Sequence, residues 1–447
     1  MTDDNRTSLT VFPEGDDATK VGNYFVSNYP PFSVWSPQHV SDAIDRLDRP
    51  GDEQTPIGMY VHIPYCRKRC HFCYFRVYTD QNSDDIRRYI DAVIEEAAML
   101  AQRSFIAGRR LRYVYFGGGT PSYLSAAQLE YLFDGLQRAL PWDAVEEVTF
   151  ECEPGTLNAN KLLAIQRLGV TRLSLGIENF DDTLLEMNNR AHRSKQVYDA
   201  YEWARSADFA QINIDLIAGM LGETPQNWQR CVDKAIKMRA DAVTIYQMEV
   251  PYNTTIYQQM RRDGGDVAPV ADWPTKRRWV ERAYEALEAA QYTIGSAYTA
   301  VLDPQRIRFV YRDALWQGAD MLGVGVSSFG HLAGVHYQNQ ADIVPYISTV
   351  RNGELPIYRA MVMTDEQQMI RQFVLQLKIG RLAKNPFLER FGVDVFDRWS
   401  DVLGKYRDQG LLTFDDETLT LTRRGLLRVD GLLQAFFLPE HREVRYT

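Results

Sequence analysis

The sequence predicts an α/β protein whose central part is a partial (βα)6 barrel. Two observations lead to this fold class: short apolar or β-branched runs recur along the chain, and helical patterns separate them. Their starts lie roughly 25–55 residues apart, which is typical of βα units that pair into one curved parallel sheet. The predicted strands are Gly58–Ile63, Arg112–Phe116, Glu147–Glu151, Arg172–Gly176, Gln211–Ile217 and Ala242–Gln247.

The clearest helical pattern follows the first predicted strand. Residues Asp84–Ala101 place apolar side chains three or four positions apart, so that they share one face of a helix. Ser83 precedes this pattern, and a serine hydroxyl can accept the first unpaired backbone N–H groups. We therefore predict a helix over Asp84–Ala101 with Ser83 as its N-cap.

Composition limits the class of protein. The chain has 447 residues, of which 45% are hydrophobic and 24% charged, an ordinary globular balance. Its net charge of −9 does not suit a duplex-DNA binder, so no nucleic-acid partner is expected. No long uncharged apolar run is present, so no membrane partner is expected either. The polar, acidic N-terminus does not resemble a signal peptide, which predicts a cytoplasmic location.

Changes in the pattern predict four segments. Residues 1–55 form an N-terminal extension, rich in proline and aromatic residues, that packs across a surface or covers an opening. Residues 56–260 form the barrel, and residues 261–355 form a connector that extends it. Residues 356–447 form a mainly helical, winged-helix-like domain with a late strand pair, Leu411–Phe414 and Thr418–Leu421.

Three of the five cysteines lie within eight residues, directly after the first predicted strand. Cys66, Cys70 and Cys73 form a C-x3-C-x2-C loop, and three thiolates on a short loop can hold three irons of a [4Fe–4S] cluster. The fourth iron is then free for an external ligand. The alternatives are a zinc site closed by His62 or His71, and a chance grouping. The spacing favours the cluster, because His62 lies in the strand and His71 lies inside the loop.

With these motifs, the sequence resembles the radical S-adenosylmethionine (SAM) superfamily. The C-x3-C-x2-C loop with Phe72 before its last cysteine is the hallmark of that superfamily. The wider motifs are similar to the oxygen-independent coproporphyrinogen III oxidase branch (HemN-like), which includes haem chaperones and class C radical SAM methylases. They are YVHIPYC, FGGGTP, RLSLGIE and NIDLI, starting at Tyr60, Phe116, Arg172 and Asn213. The resemblance spans roughly residues 57–330.

The resemblance implies a [4Fe–4S] cluster, one or two molecules of SAM, and a partial radical SAM barrel. It assigns the three cysteines to the metal. It assigns the methionine part of SAM to the glycine loop, the SAM ammonium to Glu151, the SAM carboxylate to Arg190 and the ribose to Glu178 and Asp215. The glycine loop consists of Gly117, Gly118, Gly119 and Thr120.

Three aromatic side chains complete the predicted site. Phe72 would lie beside the adenine. Tyr60 and His62 alternate along the first predicted strand and face the same side of the sheet, so they line the SAM site as catalytic residues or fill the barrel. Glu153 is a second candidate for the ammonium, and Glu178 stands where the family commonly has glutamine.

The sequence leaves several reactions open. The family's decarboxylating enzymes carry a further cysteine where this chain has Phe75, and no set of basic residues for porphyrinogen propionates can be identified from the sequence. These features favour methylation or cyclopropanation of an sp² carbon with a second SAM. Coproporphyrinogen III decarboxylation, another tetrapyrrole reaction and haem trafficking are the alternatives. The expected partners are a small-molecule substrate and an electron donor such as flavodoxin or ferredoxin.

Overall fold

The computed structural model describes residues 19, 22, 24–265 and 267–442. All six predicted strands form, and they pair in parallel in chain order, β1-β2-β3-β4-β5-β6. Their bounds are β1 Ile57–Ile63, β2 Leu111–Gly118, β3 Glu147–Cys152, β4 Arg172–Glu178, β5 Gln211–Ala218 and β6 Ala242–Gln247. The parallel α/β core predicted from the hydrophobic rhythm is therefore confirmed.

Further strands extend this sheet beyond both ends of the predicted set. β9 pairs in parallel with β1, and antiparallel strands continue outward to give the order β12-β11-β10-β9-β1-β2-β3-β4-β5-β6-β8-β7. β12 and β7 are the two edges, so the barrel is partial. The added strands are β7 Thr293–Ile294, β8 Thr299–Val301, β9 Asp320–Val324, β10 Phe329–Leu332, β11 Val335–Asn339 and β12 Ile357–Val362.

Helices cover the outer face of the sheet. Their bounds are α1 Val40–Leu47, α2 Ser83–Ala101, α3 Ala126–Ala139, α4 Ala159–Arg167, α5 Asp182–Met187, α6 Ser194–Ser206, α7 Pro225–Met238, α8 Thr255–Arg262, α9 Trp273–Ala289, α10 Val310–Trp316 and α11 Ile343–Arg351. The main core is apolar side chains from strand faces and the inner faces of these helices. Among the described residues, no helix combines the length and apolar character needed to cross a bilayer.

The predicted N-cap of α2 is wrong by one residue. The helix includes Ser83, and Asn82 is the cap, because its side-chain oxygen accepts the backbone N–H of Asp85 at 2.9 Å. Asparagine caps as well as serine does, so the sequence alone did not distinguish these two adjacent residues. The predicted apolar face of the helix is buried.

The C-terminal region packs around its own apolar core. Its helices are α12 Asp365–Leu377, α13 Asn385–Phe391, α14 Val395–Arg398, α15 Ser400–Asp408, α16 Arg423–Leu426 and α17 Val429–Leu433. The predicted strand pair is β14 Leu412–Phe414 and β15 Thr418–Leu421, and a third strand, β13 Arg381–Ala383, pairs with β15. The sequence did not reveal β13, since only its central Leu382 is buried.

The described part of the N-terminal extension joins the barrel to the C-terminal region. The backbone N–H of Val26 donates to the Asp430 carboxylate at 2.9 Å, and its carbonyl accepts from Lys378 Nζ at 2.6 Å. The backbone N–H of Phe25 donates to Glu249 after β6. The segment therefore runs between the two halves of the molecule, whereas residues 1–18 lie outside the described residues.

A buried ion pair fixes β9 beside β1. Arg109 Nη2 lies 2.7 Å from Asp320 Oδ2, and both side chains are almost fully buried. The same guanidinium nitrogen donates to the carbonyl of Thr55 at 2.7 Å, and Asp320 Oδ1 accepts the backbone N–H of Ala333. The pair therefore holds the chain before β1 and the start of β9 together.

We expect Arg109→Met to lower the free energy of unfolding by about 3–5 kcal/mol, because the substitution leaves the Asp320 carboxylate buried without its partner. Denaturant unfolding followed by circular dichroism measures the change. Arg109→Met combined with Asp320→Asn is the control, and it should recover most of the loss. An unchanged stability in the single variant would show that the pair does not hold these strands.

Candidate functional site

The three clustered cysteines lie on a loop that leaves the carboxyl end of β1. The backbone N–H of Cys66 donates to the carbonyl of Tyr78, and the N–H of Tyr78 donates back to the carbonyl of Pro64, so the loop closes on itself. On its outer side, the N–H of His71 donates to the carbonyl of Asn188. The side chain of Asn189 donates to the carbonyl of Arg69 at 2.8 Å. The loop is thus fixed to the segment after α5.

The thiols of this loop have polar neighbours and no disulfide partner. Cys66 Sγ lies 3.3 Å from Thr120 Oγ1, and Arg190 Nη1 donates to Cys70 Sγ at 3.2 Å. Burial raises the pKa of Cys66 to about 11 and that of Cys73 to about 12. A bound cation is therefore needed to make these thiols thiolates at neutral pH.

The donor arrangement does not match a single metal ion. Among the described residues, no three His, Cys, Asp or Glu side chains are grouped as one ion would require. The two histidines weighed as zinc ligands have other partners: His62 Nδ1 lies 3.2 Å from the hydroxyl of Tyr60, and His71 Nδ1 lies 3.1 Å from the carbonyl of Met187. A multi-iron cluster, in which each cysteine binds a different iron, fits this loop better than zinc does.

The glycine loop follows β2 and lies directly beside the cysteine loop. Backbone N–H groups of Gly119 and Thr120 donate to carbonyls of Ile63 and Tyr65 at 2.8 Å, which ties the two loops together. Gly118 has a φ of 108°, and a Cβ there would lie 2.4 Å from the His62 ring. Glycine is therefore required at this position for both its backbone conformation and its missing side chain.

Glu151 is a buried carboxyl group in β3 beside this glycine loop. The Tyr115 hydroxyl donates to its Oε1 at 2.5 Å. Burial raises the pKa of Glu151 to about 7, although the hydrogen bond from Tyr115 opposes the rise. A nearby cation would restore the charged form, which is the environment predicted for the SAM ammonium.

Glu178 ends β4 in an unusual backbone conformation. Its φ is 63°, and the register of β4 against β5 shifts between Gly176 and Glu178. Such bulges redirect a side chain, and strained residues of this kind cluster at functional sites. Its Oε1 lies 3.6 Å from Arg190 Nη2, and burial raises the pKa of Glu178 to about 7.

Asp215 on β5 is held by Ser174 on the adjacent strand β4 and by Asn213 on its own strand. Ser174 Oγ donates to its Oδ2 at 2.8 Å, and Asn213 Nδ2 donates to its Oδ1 at 2.9 Å. Burial raises the pKa of Asp215. Asp215 acts electrostatically on both Glu151 and Glu178, so the three carboxyl groups of β3, β4 and β5 lie close together, although Asp215 stands in the middle of its strand.

Besides Nε of Arg69 in the loop itself, two polar atoms near the cysteines lack hydrogen-bond partners within the described residues. They are Nε of Arg190 and Oε2 of Glu153, both buried. Glu153 Oε1 is held by His192 Nδ1 at 2.9 Å, and this contact helps to lower the pKa of Glu153 although its burial alone would raise it. Unpartnered buried groups beside a cysteine loop fit a zwitterionic ligand such as the amino-acid part of SAM.

Phe72 lines the cavity described below and packs against apolar residues around Met248 and Val250. Tyr60 and His62 lie behind the glycine loop instead, and neither is among the described residues that line the cavity. Burial lowers the pKa of His62 to about 4, so its imidazole is neutral at physiological pH. The catalytic role of Tyr60 and His62 stays a prediction.

Apart from Tyr60, His62, Gly117 and His192, the site residues described above line one cavity of about 2250 Å³ between the barrel and the C-terminal region. The cysteines, the last two loop glycines, Thr120 and the carboxylates line one end of it. The cavity is also lined by a group of aromatic side chains that we call the aromatic wall, Tyr246, Tyr298, Phe309, Tyr311 and Trp316, and by side chains of α15–α17. The cavity is large enough for SAM and a second large molecule.

Comparison with known proteins agrees with this geometry. The family model described as the radical SAM superfamily matches residues 60–235, and the HemN C-terminal domain matches residues 363–428. The chain belongs to the radical SAM superfamily. Within it, the chain belongs to the HemN-like branch, as the motifs of the sequence indicated.

Two curated relatives have different names. The haem chaperone HemW of Bacillus subtilis is 28% identical over 379 residues, which cover 84% of this chain and 98% of HemW. The oxygen-independent coproporphyrinogen III oxidase of Pseudomonas aeruginosa is 27% identical over 412 residues, covering 88% of each chain. Among solved structures, coproporphyrinogen III oxidase (HemN) from Escherichia coli superposes with a TM-score of 0.79 and 22% identity, covering 94% of this chain and 99% of that one.

Membership of the radical SAM superfamily implies a [4Fe–4S] cluster and SAM. None of these findings supports the methyltransferase class favoured by the sequence, or a second SAM. The roles given to individual residues stay predictions, although all the predicted cofactor-binding side chains except Gly117 line the same cavity.

Several residues of this radical SAM site were not singled out from the sequence. Tyr115 holds Glu151, His192 holds Glu153, and Arg172 and Arg312 line the cavity. Tyr115 is two residues before Gly117 on β2, so strand alternation gave a signal for it. His192 and Arg312 come from loops and helices whose position depends on tertiary packing, and no local pattern points to them.

We expect SAM affinity to rise from pH 6 to pH 8, because Glu151 loses its proton near pH 7 and the carboxylate then attracts the SAM ammonium. Glu151→Gln should remove the rise and weaken binding at pH 8 by about tenfold or more. Equilibrium dialysis of SAM against the cluster-loaded protein measures both. Glu178→Gln is the control and should keep the rise, since an amide still accepts a ribose hydroxyl. A rise that persists in Glu151→Gln would exclude Glu151 as the ammonium partner.

Proposed function

We propose that this protein is a radical SAM enzyme that modifies a carboxylated tetrapyrrole. The proposal rests on one observation. The cysteine loop and the buried carboxylates line the same cavity as the aromatic wall and its two arginines, Arg172 and Arg312. The names of the two relatives, a haem chaperone and a coproporphyrinogen III oxidase, support the substrate class.

The residues of the site fit the implied cofactors. Three free thiols on a fixed loop suit a cluster with one open iron, and the unpartnered atoms of Arg190 and Glu153 suit the charged end of SAM. When bound by Cys66, Cys70 and Cys73, the cluster would supply the electron for reductive cleavage of SAM, and the cleaved SAM would supply the chemistry for hydrogen abstraction from the substrate.

The protein's own side chains would orient SAM. Arg190 is held by the carbonyl of Gly176 at 2.6 Å and by Cys70, so its guanidinium cannot turn away from the loop. Glu151 accepts from Tyr115 and keeps one oxygen for an ammonium group. Asp215 and Glu178 would accept ribose hydroxyls from neighbouring strands. These rigid contacts fix the position of the bond that breaks.

The aromatic wall of the cavity suits a large, conjugated, anionic molecule. The Arg172 guanidinium lies 3.9 Å from the Phe309 ring centroid, and that of Arg312 lies 5.5 Å from Phe309 and 5.3 Å from Trp316. Aromatic faces can stack on a macrocycle, and guanidinium groups donate paired hydrogen bonds to carboxylates. Arg312 already donates to Asp313 at 2.8 Å, so a substrate carboxylate would share or replace that contact. Arg172 and Arg312 are therefore candidate partners for substrate carboxylates, which the sequence alone did not single out.

The kind of tetrapyrrole reaction depends on a smaller set of residues. Phe75, which takes the place of the additional cysteine of the family's decarboxylating enzymes, lines the cavity and packs on Tyr74 with ring centroids 4.5 Å apart. The proposal is therefore a hydrogen abstraction from a tetrapyrrole, with decarboxylation as one outcome. Methylene transfer from a second SAM is the other outcome that the assay must distinguish.

Haem trafficking is a second candidate, favoured by the B. subtilis relative named as a haem chaperone. A chaperone needs an axial ligand for the haem iron, most often a histidine. No histidine is among the described residues that line the cavity. A haem would therefore need a different ligand or a different surface, which is why the enzyme is the first proposal.

An anaerobic assay tests the proposal. Reconstituted protein with SAM, a strong reductant and coproporphyrinogen III or haem should form 5′-deoxyadenosine together with a changed tetrapyrrole. Cys70→Ala should abolish the brown colour and all 5′-deoxyadenosine, because the cluster loses one of its three ligands. Cleavage of SAM by Cys70→Ala would contradict the cluster assignment. S-adenosylhomocysteine would indicate methylene transfer, and stoichiometric haem binding without 5′-deoxyadenosine would indicate a chaperone.

The aromatic wall gives a separate prediction. Arg312→Gln should raise KM for the tetrapyrrole about tenfold, because it removes a charge-assisted bond to a carboxylate, and leave SAM cleavage without substrate unchanged. Steady-state kinetics and the tetrapyrrole Kd report the change, and Arg312→Lys is the conservative control. An unaltered KM would mean that the carboxylates bind elsewhere in the cavity.

A further inference from the structure

The outer surface of the cysteine loop differs in charge from the rest of the molecule. The chain carries −9 overall, yet residues 66–78 contain Arg67, Lys68, Arg69 and Arg76 and no carboxylate. Arg67 and Lys68 are exposed, and Arg69 is half-buried. A cluster of cations directly over a redox centre on an acidic protein is a specific feature of this chain, since a surface of random composition would be acidic here.

These cations surround a shallow depression that we call the basic depression. It is lined by Arg67, Lys68, Arg69 and His71 from the loop, and by Asp80 and Thr255 from adjacent segments. Thr255 begins α8, whose N-terminal end carries a partial positive charge. Asp80 is the one carboxylate among its described lining residues. The electrostatic potential of the depression is therefore positive.

The basic depression is held rigidly. Arg67 Nη1 donates to the carbonyl of Gly155 at 2.7 Å, and Arg69 Nη2 donates to the carbonyls of Asn253 and Cys73 at 2.8 and 3.2 Å. These guanidinium groups bind neutral carbonyls and keep their full positive charge. Lys68, at the tip of the loop, has no hydrogen bond or ion pair with any described residue.

We propose that the basic depression is the docking site of an acidic one-electron carrier protein, such as a flavodoxin or a ferredoxin. This inference rests on the proposed function, because only cluster-driven SAM cleavage needs an electron. The half-buried Cys70 and Cys73 lie on the same short loop as the cations, so a carrier seated here would be close to the cluster. One electron passes from the reduced carrier to the oxidised cluster, with no bond formed or broken between the proteins.

Charge complementarity favours a protein over a small anion as the occupant. The depression is shallow, and Arg67 and Lys68 are exposed, which suits a flat acidic surface. Arg67, Lys68 and Arg69 also border the mouth of the main cavity, which is deeper and suits the small substrate. Opposite charges across such an interface mainly raise the association rate, and salt weakens the effect. A docking site of this kind therefore has a measurable salt dependence.

Lys68→Glu tests the proposal, with an acidic flavodoxin as the probe. The reversed charge should lower the rate of 5′-deoxyadenosine formation driven by reduced flavodoxin about tenfold at low ionic strength, and the difference should shrink as salt is added. The Kd of flavodoxin for the cluster-loaded protein, measured by calorimetry, should rise in parallel. The rate with saturating dithionite should stay at the wild-type value.

Two controls accompany this variant. Lys68→Arg keeps the charge and should behave as wild type with both reductants. Arg138→Glu makes the same charge change at the exposed C-terminal end of α3, at the opposite end of the barrel, and should leave the flavodoxin-driven rate unaltered.

Other results would overturn the docking site. Equal flavodoxin-driven rates and Kd values in Lys68→Glu and wild type would place docking elsewhere. If Lys68→Glu slows 5′-deoxyadenosine formation equally with flavodoxin and with dithionite, Lys68 acts on the cluster or on SAM. If Lys68→Glu raises the KM for the substrate in the dithionite assay, the cations bind the substrate. If the wild-type protein makes no 5′-deoxyadenosine with dithionite, that result contradicts the proposed function. The docking site is then still tested by comparing the flavodoxin Kd of wild type and Lys68→Glu in the calorimeter.

Discussion

The closure of the cysteine loop over the end of β1 is the constraint on which the rest of the site depends. Backbone hydrogen bonds join Cys66 to Tyr78 and Tyr78 to Pro64, and the neighbouring glycine loop bonds to the same turn. Because the thiols are fixed by backbone rather than by flexible side chains, their positions relative to β2–β5 are set before any cofactor binds. Arg190 then connects the loop to Glu178 through contacts with Cys70 and the end of β4.

The burial of the carboxyl groups determines which kind of ligand this cavity can bind. Glu151 and Glu178 share a cavity in which burial raises the pKa of each carboxyl group to about 7. Each carboxylate is costly there without a cation or a hydrogen-bond donor. A ligand that brings an ammonium group and hydroxyl groups relieves that cost, whereas a neutral apolar molecule does not. The same cavity also contains arginines stacked on aromatic rings, so it combines buried carboxylates with a cationic, aromatic surface.

Much of the fold and part of the site could be predicted from the sequence. The six parallel strands follow from buried apolar runs, and the cysteines, glycines and carboxylates are brought together because parallel strands end at one edge. Strands β7, β12 and β13 have few buried residues, so no local pattern indicated them. Strands β9, β10 and β11 are short but mostly buried, and their pairing with β1 and with each other depends on tertiary structure. The basic wall residues Arg172 and Arg312 are 140 positions apart and meet only in the folded chain. The sequence favoured methylation because Phe75 replaces the additional cysteine and because no set of basic residues for propionates could be identified, and the comparisons do not support that class.

The central claim is that three thiolates leave one iron of a [4Fe–4S] cluster free for SAM. Mössbauer spectroscopy of the anaerobically reconstituted, iron-57-labelled protein tests it most directly. Addition of SAM should shift the signal of one iron in four and leave the other three in place, since only one iron lacks a protein ligand. A spectrum that SAM does not alter, or a loop that binds one zinc ion and no iron, would contradict the account.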